Sequence, residues 1–309
     1  MSKGRYLGID IGGSKVLLGI VGGDGAIVDT ERAPVPGGTH ADSLMALVLE
    51  LAGRLVRRNG AEPLEGAGVS IPGLADPQAG LWVYSPFSGI HDLPVADVLG
   101  RALGMPVAIE NDVNACAVAE RMFGGCRDVD DFVWVTVSNG IGAGVFIEGK
   151  LFRGSTLSAG EIGHIIVVEN GNPCGCGRNG CLEAHASGRA IALRYRQLGG
   201  AERDARQIAA AARAGDRAAA GAYEEAGGYL GTAIACTVNI LNPARVVLGG
   251  GVATDLDLFL GPLRKAFDAR VFRQANHGLI IEQTRLAHNA GLIGAAAVAI
   301  SCAREDRRR

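Results

Sequence analysis

The sequence predicts an α/β protein of two lobes, and three observations lead there. The segments through Arg32 read as strand, turn, strand, turn, strand, and the same glycine-punctuated reading restarts after Asn111. Each set of strands gives way to alternating helical and strand-like segments, as a duplicated α/β unit would. At 309 residues the chain also exceeds the size that one core usually serves. Ligands are expected in a cleft between two such lobes.

The elements follow in order. "RYLGID" alternates, "KVLLGIV" is apolar and "AIVDTER" alternates again, with "IGGS" and "GGDG" as turns between them. Connections this short demand antiparallel neighbours. From Ala41 to Asn59, Leu44, Leu47, Val48, Leu51 and Leu55 share one helical face, and Gly60 ends the helix. "AGVSI" and "PVAIE" read as buried strands with helical material between them. "DFVWVTVS" and "AGVFIEGKLF" form the second hairpin. Helices are expected near 187–198, 204–214 and 217–241. The strand "ARVVLGGG", a helix near 256–269, the strand "GLIIEQT" and a last helix from Ala290 complete the chain.

Composition narrows the function classes. Hydrophobic residues make up 48% and charged residues 20%, ordinary for a globular protein. Thirty basic against 32 acidic side chains give no general electrostatic reason to bind nucleic acid or an anionic membrane. The tail "REDRRR" reads as a frayed, solvated helix end. No segment resembles a signal peptide or a membrane span, and seven unevenly spaced cysteines do not form a disulfide framework. A cytoplasmic enzyme is expected. The 47 glycines are the anomaly, about 15% against a usual 7% or so, and they fall in clusters.

Three clusters are glycine loops. "DIGGSK", Asp10 to Lys15, is either a plain hairpin turn or a place where backbone N–H groups approach phosphate oxygens. It is neither a Walker loop nor a dinucleotide fingerprint, because a strand rather than a helix follows. "SNGIGAG", Ser138 to Gly144, repeats it in equivalent topology, which favours nucleotide binding over twin turns. "VVLGGGVA" places glycines at the carboxyl end of a strand, where α/β sheets hold ligands, though a tight turn would explain it too. The fourth cluster, "IENDVNACAVAE", starts a helix at Asn111 and Asp112. Either residue would cap that helix; alternatively Asp112 is a general base with Asn111 orienting a substrate.

"NPCGCGRNGCLE" crowds three cysteines into eight residues. His164, Cys174, Cys176 and Cys181 supply one nitrogen and three sulfurs, a normal tetrahedral zinc set, with His185 as a competing fourth ligand. Three thiolates are too few for the usual iron–sulfur cluster. Redox-active or unliganded thiols are the remaining alternative. A closed set of four ligands makes the zinc structural. It would pin Glu161, three residues before His164, and Glu183, two after Cys181, as acceptors for sugar hydroxyls; each could equally be a solvated surface glutamate.

"DIGGSK", "SIPGL", "ENDVNA", "NGIGAG", "AGEIGH", "CGCGRNGCLE", "SGRA" and "LGGGV" occur in the order seen in the ROK family of sugar kinases and repressors. The resemblance spans about Leu7 to Gly294, and "ExGH…CxCGxxGCLE" is its most specific part. It implies a two-lobed actin- and hexokinase-like (ribonuclease H-like) fold, commonly dimeric, that transfers the γ-phosphate of ATP to a hexose. The lobes are expected at 1–115, joined by the helix 290–309, and at 116–289 with the zinc loop. By motif, Asp112 is the base, and Gly73, Asn111, Asp112, Glu161, His164 and Glu183 bind the sugar. His164 would serve both zinc and sugar, with Cys174, Cys176 and Cys181 completing the metal site. Asp10, Gly12, Gly13, Ser14 and Lys15, with Asn139, Gly140 and Gly142, would surround the phosphates and Mg²⁺. Gly250, Gly251 and Asn289 would meet the nucleoside. The family's second phosphate loop usually reads GTGIG; here Ser138-Asn139 precede Gly140, and the Asn139 amide is expected to cover for the threonine hydroxyl.

ROK repressors carry a helix-turn-helix ahead of the sugar domain, and with a first strand near Tyr6 none is expected here. A non-catalytic sugar sensor is a third class, opposed by the intact Asp112. Glucose is the expected substrate, because carboxylates and a histidine suit the hydroxyls of an unmodified hexose. N-acetylglucosamine or N-acetylmannosamine comes next and fructose or allose last, with the loop "YSPFSGIHDLP" deciding whether an acetamido group fits.

Overall fold

A computed structural model describes residues 4–35, 38–60, 62–85, 89–274, 276–286 and 289–306. Two compact units emerge. The first holds residues 1–128, 153–158 and 289–309, and the second 129–152 and 159–288.

In the first unit, β1 (Arg5–Ile11), β2 (Lys15–Gly22) and β3 (Ile27–Pro34) form an antiparallel meander, as the short turns require. Helix α1 (Ala41–Asn59) returns the chain so that β4 (Leu64–Ile71) can pair in parallel with β1. Its buried face of Leu44, Met45, Val48, Leu51, Ala52 and Leu55 follows the helical period and packs into a core with Leu7, Ile9, Leu18 and Val69. Burying each large member of that stripe contributes about 1.5–3 kcal/mol before entropy is charged against it.

The interval expected to be helical contains a small sheet first. Strands β5 (Leu74–Asp76), β6 (Leu81–Tyr84) and β7 (His91–Leu93) pair antiparallel, and only then comes α2 (Val95–Leu103). Strands this short carry too few residues for a period to show. Trp82, fully buried there, donates its indole N–H to the Pro72 carbonyl at 3.0 Å and so anchors the turn carrying Gly73. Residues 86–88 of the "YSPFSGIHDLP" loop lie outside the described residues.

Strand β8 (Val107–Asn111) completes the order β3-β2-β1-β4-β8 and runs straight into α3 (Asp112–Phe123). The lobe boundary expected at residue 115 falls inside α3, whereas the helix stays whole with the first unit. The reason is α9 (Ala290–Asp306), which lies along β1, β4 and α3 at a distance only glycines permit. A Cβ on Gly8 would come within 2.7 Å of the Leu292 carbonyl oxygen, and one on Gly294 within 2.7 Å of the Ala115 carbonyl.

The second unit repeats the plan. Strands β9 (Phe132–Val137), β10 (Ile141–Ile147) and β11 (Lys150–Phe152) are the antiparallel arm. Strands β12 (Arg245–Gly249) and β13 (Ile280–Gln283) join in parallel, giving β11-β10-β9-β12-β13. "AGVFIEGKLF" is thus two strands, turned at Glu148 and Gly149, both at positive φ. Helices α4 (Glu183–Ala186), α5 (Gly188–Gln197), α6 (Ala205–Arg213), α7 (Arg217–Leu241) and α8 (Leu256–Asp268) complete it. Among the described residues no helix is long and apolar enough to cross a membrane.

Candidate active site

The acidic cluster of the first unit gathers where β1, β4 and β8 end. Asp10 on β1 accepts a hydrogen bond from the Ser70 hydroxyl of β4 at 2.8 Å. Both oxygens of Asp10 sit where a Cβ of Gly291 would be, so the first turn of α9 is open for that carboxylate. Enclosure by protein is the main reason Asp10 titrates above the ordinary carboxylate range, with Ser70 and Lys15 opposing.

Of the two readings of "END", the structure shows the cap. Asn111 is the N-cap of α3, its side-chain oxygen accepting from Val113 N at 2.9 Å and Asn114 N at 3.1 Å. Its amide nitrogen also donates to the Gly73 carbonyl at 2.9 Å, and its side chain hydrogen-bonds the Asp112 carboxylate. Gly73 is at φ +87°, which a side chain would strain. Asp112, the next residue, keeps a partial opening to solvent. Yet crowding by protein, and then the charge of Asp10, push its carboxyl up to about 7. A carboxylate there is a poised proton acceptor.

Sequence reasoning missed what holds this junction. Glu110, 2% exposed, accepts from Asn111 N at 3.0 Å and Asn114 Nδ2 at 3.2 Å through Oε1. Its Oε2 takes both Arg153 Nε at 2.8 Å and Nη2 at 2.6 Å. Arg153 comes from the short segment 153–158 that belongs to the first unit while its neighbours in sequence belong to the second. Glu110 beside "ND" was a signal; nothing in the sequence singles out Arg153.

The first glycine loop is a closed hairpin turn, with Gly12 N donating to the Lys15 carbonyl at 2.9 Å. Gly13, Ser14 and Lys15 are exposed on it. Asn289, also in the first unit, is exposed just before α9.

In the second unit two glycine loops come together. Ser138 N donates to Gly140 O at 2.9 Å across the β9–β10 turn, and the Ser138 carbonyl accepts from Gly188 N, the first residue of α5, at 2.7 Å. Asn139 is exposed at the tip, Gly140 and Gly142 half-buried beside it. Gly250 has φ +92°, and a Cβ there would lie 2.5 Å from the Val137 carbonyl oxygen. That close approach brings Gly251 beside Ser138, where a Cβ on Gly251 would lie 3.8 Å from the Ser138 hydroxyl. The α5 start at Ser187-Gly188 was quoted only as a motif, and the structure makes it part of this loop cluster.

The metal loop lies in the same unit. His164 Nδ1 is 3.7 Å from Cys174 Sγ, Cys176 Sγ is 3.6 Å from Cys181 Sγ, and all four ligand atoms lie within 4.8 Å of one another. Zinc bonds of about 2.0–2.3 Å set tetrahedral ligand–ligand edges of about 3.6–3.8 Å, so the four atoms fit such an ion. Backbone hydrogen bonds shape the loop in advance, Cys174 N to Arg178 O at 2.8 Å and Gly180 N to Asn172 O at 2.9 Å. His185 is not a fourth ligand. Its Nε2 accepts from Asn172 N at 3.0 Å, its ring packs on Tyr229, and burial holds it below the ordinary histidine value.

His164 therefore turns Nδ1 to the thiols while Nε2 faces the Glu161 carboxylate at 3.5 Å. Glu161 is largely exposed, on a single 3-10 turn (Ile162–His164) laid against β10, where the Ala143 amide donates to the Gly160 carbonyl at 2.8 Å. Glu183 points its Oε2 at the Ile141 amide, 2.9 Å away. The structure thus groups Asp10, Asn111, Asp112 and Gly73 in one unit. It groups Glu161, His164, Glu183, the cysteines and the loops 138–142 and 250–251 in the other.

Comparison with known proteins follows this geometry. The chain is 32% identical to a glucokinase of Thermotoga maritima over 96% of this chain and 98% of the relative. It is 30% identical to a xylose repressor of Caldicellulosiruptor bescii, covering 96% of this chain but 78% of the repressor. A ROK family glucokinase from Streptomyces griseus, solved with glucose and AMPPNP, superposes with a TM-score of 0.83 at 30% identity, over 95% of this chain and 98% of that one. The fold is therefore that of the two-lobed, actin-like hexokinases. The sequence pattern of the ROK family matches residues 6–301, and the protein belongs to that family.

Proposed function

We propose that the protein is an ATP-dependent hexose kinase whose first substrate is glucose, phosphorylated to glucose 6-phosphate. One observation carries the reading: Asp112, at the start of α3, is held up to about 7, where a carboxylate accepts a hydroxyl proton most usefully near neutral pH. Similarity to glucokinases over nearly the whole chain supports it.

In this mechanism the Asp112 carboxylate takes the proton of the sugar hydroxyl. The freed oxygen attacks the γ-phosphorus in line, the bond from that phosphorus to the bridging oxygen breaks, and ADP leaves. Asn111 meets the sugar beside Asp112; Glu161, His164 Nε2 and Glu183 accept from or donate to its other hydroxyls, with Gly73 beside them. The loops at 12–15, 138–142 and 250–251, together with Asn289, receive the nucleotide.

Asp10 would hold Mg²⁺, which neutralises charge on the phosphates when bound. Two enclosed carboxylates, the charge of Asp10 raising Asp112, suit a cation at that place. His164, Cys174, Cys176 and Cys181 would hold a structural Zn²⁺. A cytoplasmic homodimer belongs to the same reading.

The test is ADP release from Mg-ATP across glucose, N-acetylglucosamine, N-acetylmannosamine, fructose and allose. Glucose is expected far ahead of the rest. An N-acetylated sugar in front would replace the substrate and keep the mechanism. Silence across the panel, repeated with polyphosphate as donor, would leave a sugar-binding regulator in its place.

A further inference from the structure

The carboxylate of Glu183 meets the protein in an unexpected place. By motif it belongs to the sugar, yet one oxygen is committed to the Ile141 amide, at the foot of the hairpin 138–142. The contact is close on the neighbouring residue too: a Cβ on Gly140 would come within 2.6 Å of the same oxygen. A side chain at 140 would push that carboxylate aside.

That hydrogen bond decides what the hairpin can offer. Ser138 N is spent on Gly140 O and Ile141 N on Glu183, while the Ser138 carbonyl is held by the start of α5. The amides left at the tip are those of Asn139 and Gly140. A three-residue turn closed only by its own backbone has several accessible shapes, and anchoring both feet selects one before the ligand arrives.

Glu183 in turn is placed by the metal loop. Cys181, fully buried, bridges to Ile166, and Leu182 N donates to Ile165 O at 2.8 Å. One residue of constrained backbone, Leu182, therefore separates a candidate metal-site thiol from the carboxylate that shapes the hairpin. The first hairpin, in the equivalent topological position, closes on itself through Gly12 and Lys15.

Resting on the proposed kinase function, we infer that Glu183 is a positioning residue for the nucleotide: its carboxylate fixes the shape of the 138–142 hairpin and ties that shape to the metal loop. Reach, rather than charge, is what this role needs. A glutamine carbonyl in the same place accepts from Ile141 N as well as a carboxylate does. An aspartate keeps the charge and falls short.

The experiment is calorimetric titration of Mg-AMPPNP, and separately of glucose, into wild type, Glu183→Gln, Glu183→Asp and Glu183→Ala, each checked by thermal melting and for bound metal. Glu183→Asp and Glu183→Ala are expected to weaken nucleotide about tenfold, the scale of one hydrogen bond. Glu183→Gln should bind nucleotide within about twofold of wild type or tighter, since it loses only repulsion, while sugar binding falls in all three. If Ala does not fold, the Gln and Asp pair decides alone. Equal nucleotide affinity in Gln and Asp overturns the inference while leaving the kinase reading intact. A metal-loaded wild type that binds no nucleotide removes both.

Discussion

The two units share a sheet order and differ in what they place at the same spot. The last register pairs of the two hairpins, Ile11 with Val16 and Val137 with Ile141, make Asp10 and Thr136 equivalent positions. Beyond the next strand, the first unit turns through Pro72-Gly73 and the second through Gly250-Gly251. The first unit thus lines its strand ends with carboxylates, Asp10 and Asp112, the former raising the latter; the second unit offers bare backbone amides and a cluster of one histidine and three cysteines. A duplicated scaffold has been given acid on one side and anion-seeking N–H groups on the other. Proton transfer and phosphate binding, the two tasks of the proposed kinase, need opposite electrostatics.

The largest expected effect breaks the acidic side. Asp112→Asn should lower kcat by about a thousandfold while glucose binding stays measurable, because an amide cannot accept the proton. Near-normal turnover would remove Asp112 as the base. A linked result concerns stability. A carboxyl raised from its ordinary value to about 7 contributes stability below about pH 4, and that contribution is lost as pH climbs towards 7. Asp112→Asn should accordingly be more stable than wild type at pH 8, on the order of 2 kcal/mol in denaturant unfolding.

Next comes the metal side. Cys176→Ser, or chelation of the wild type, should remove zinc, lower the melting temperature by about 5 °C or more and weaken sugar binding. Metal analysis that finds no zinc in the folded wild type would defeat this reading of the loop.

A pH profile sharpens the contrast without mutation. Below about 7 Asp112 is protonated, so kcat/KM should fall about tenfold per unit as pH drops and level off above neutrality. A flat profile between pH 5 and 8 would place the base elsewhere.

Arg153→Met leaves Glu110 enclosed without its cation. A loss of about 2 kcal/mol of stability is expected, larger than in Arg153→Lys, with kcat falling because Asn111, next to Asp112, is held by that carboxylate. The smallest effect belongs to Asn139→Ala, at the exposed tip of the amide loop. KM for ATP should rise about threefold and the sugar KM stay put; a larger rise would make the side chain, rather than the backbone, the main phosphate contact.

Much of this was legible in advance for a local reason. Helix α1 was found almost to the residue because Leu44, Val48, Leu51 and Leu55 repeat at helical spacing and Gly60 stops the helix. The sheet β5–β7 was not, since strands of three or four residues show no period and were folded into a helical interval. Arg153 was invisible because its partner lies 43 residues away in sequence. Asn111 was left open between cap and ligand because both uses ask for the same residue at the same place. The geometry shows that its oxygen caps while its amide nitrogen holds the Gly73 carbonyl.

By itself the sequence determined the repeated strand–turn rhythm, the glycine loops at strand ends and the thiol cluster, all of which follow from spacing along the chain. Only the tertiary structure decided that His164 and not His185 stands with the thiols, that Glu183 holds Ile141, and that Asp10 raises Asp112. Those are distances between residues brought together by packing, and spacing along a chain does not contain them.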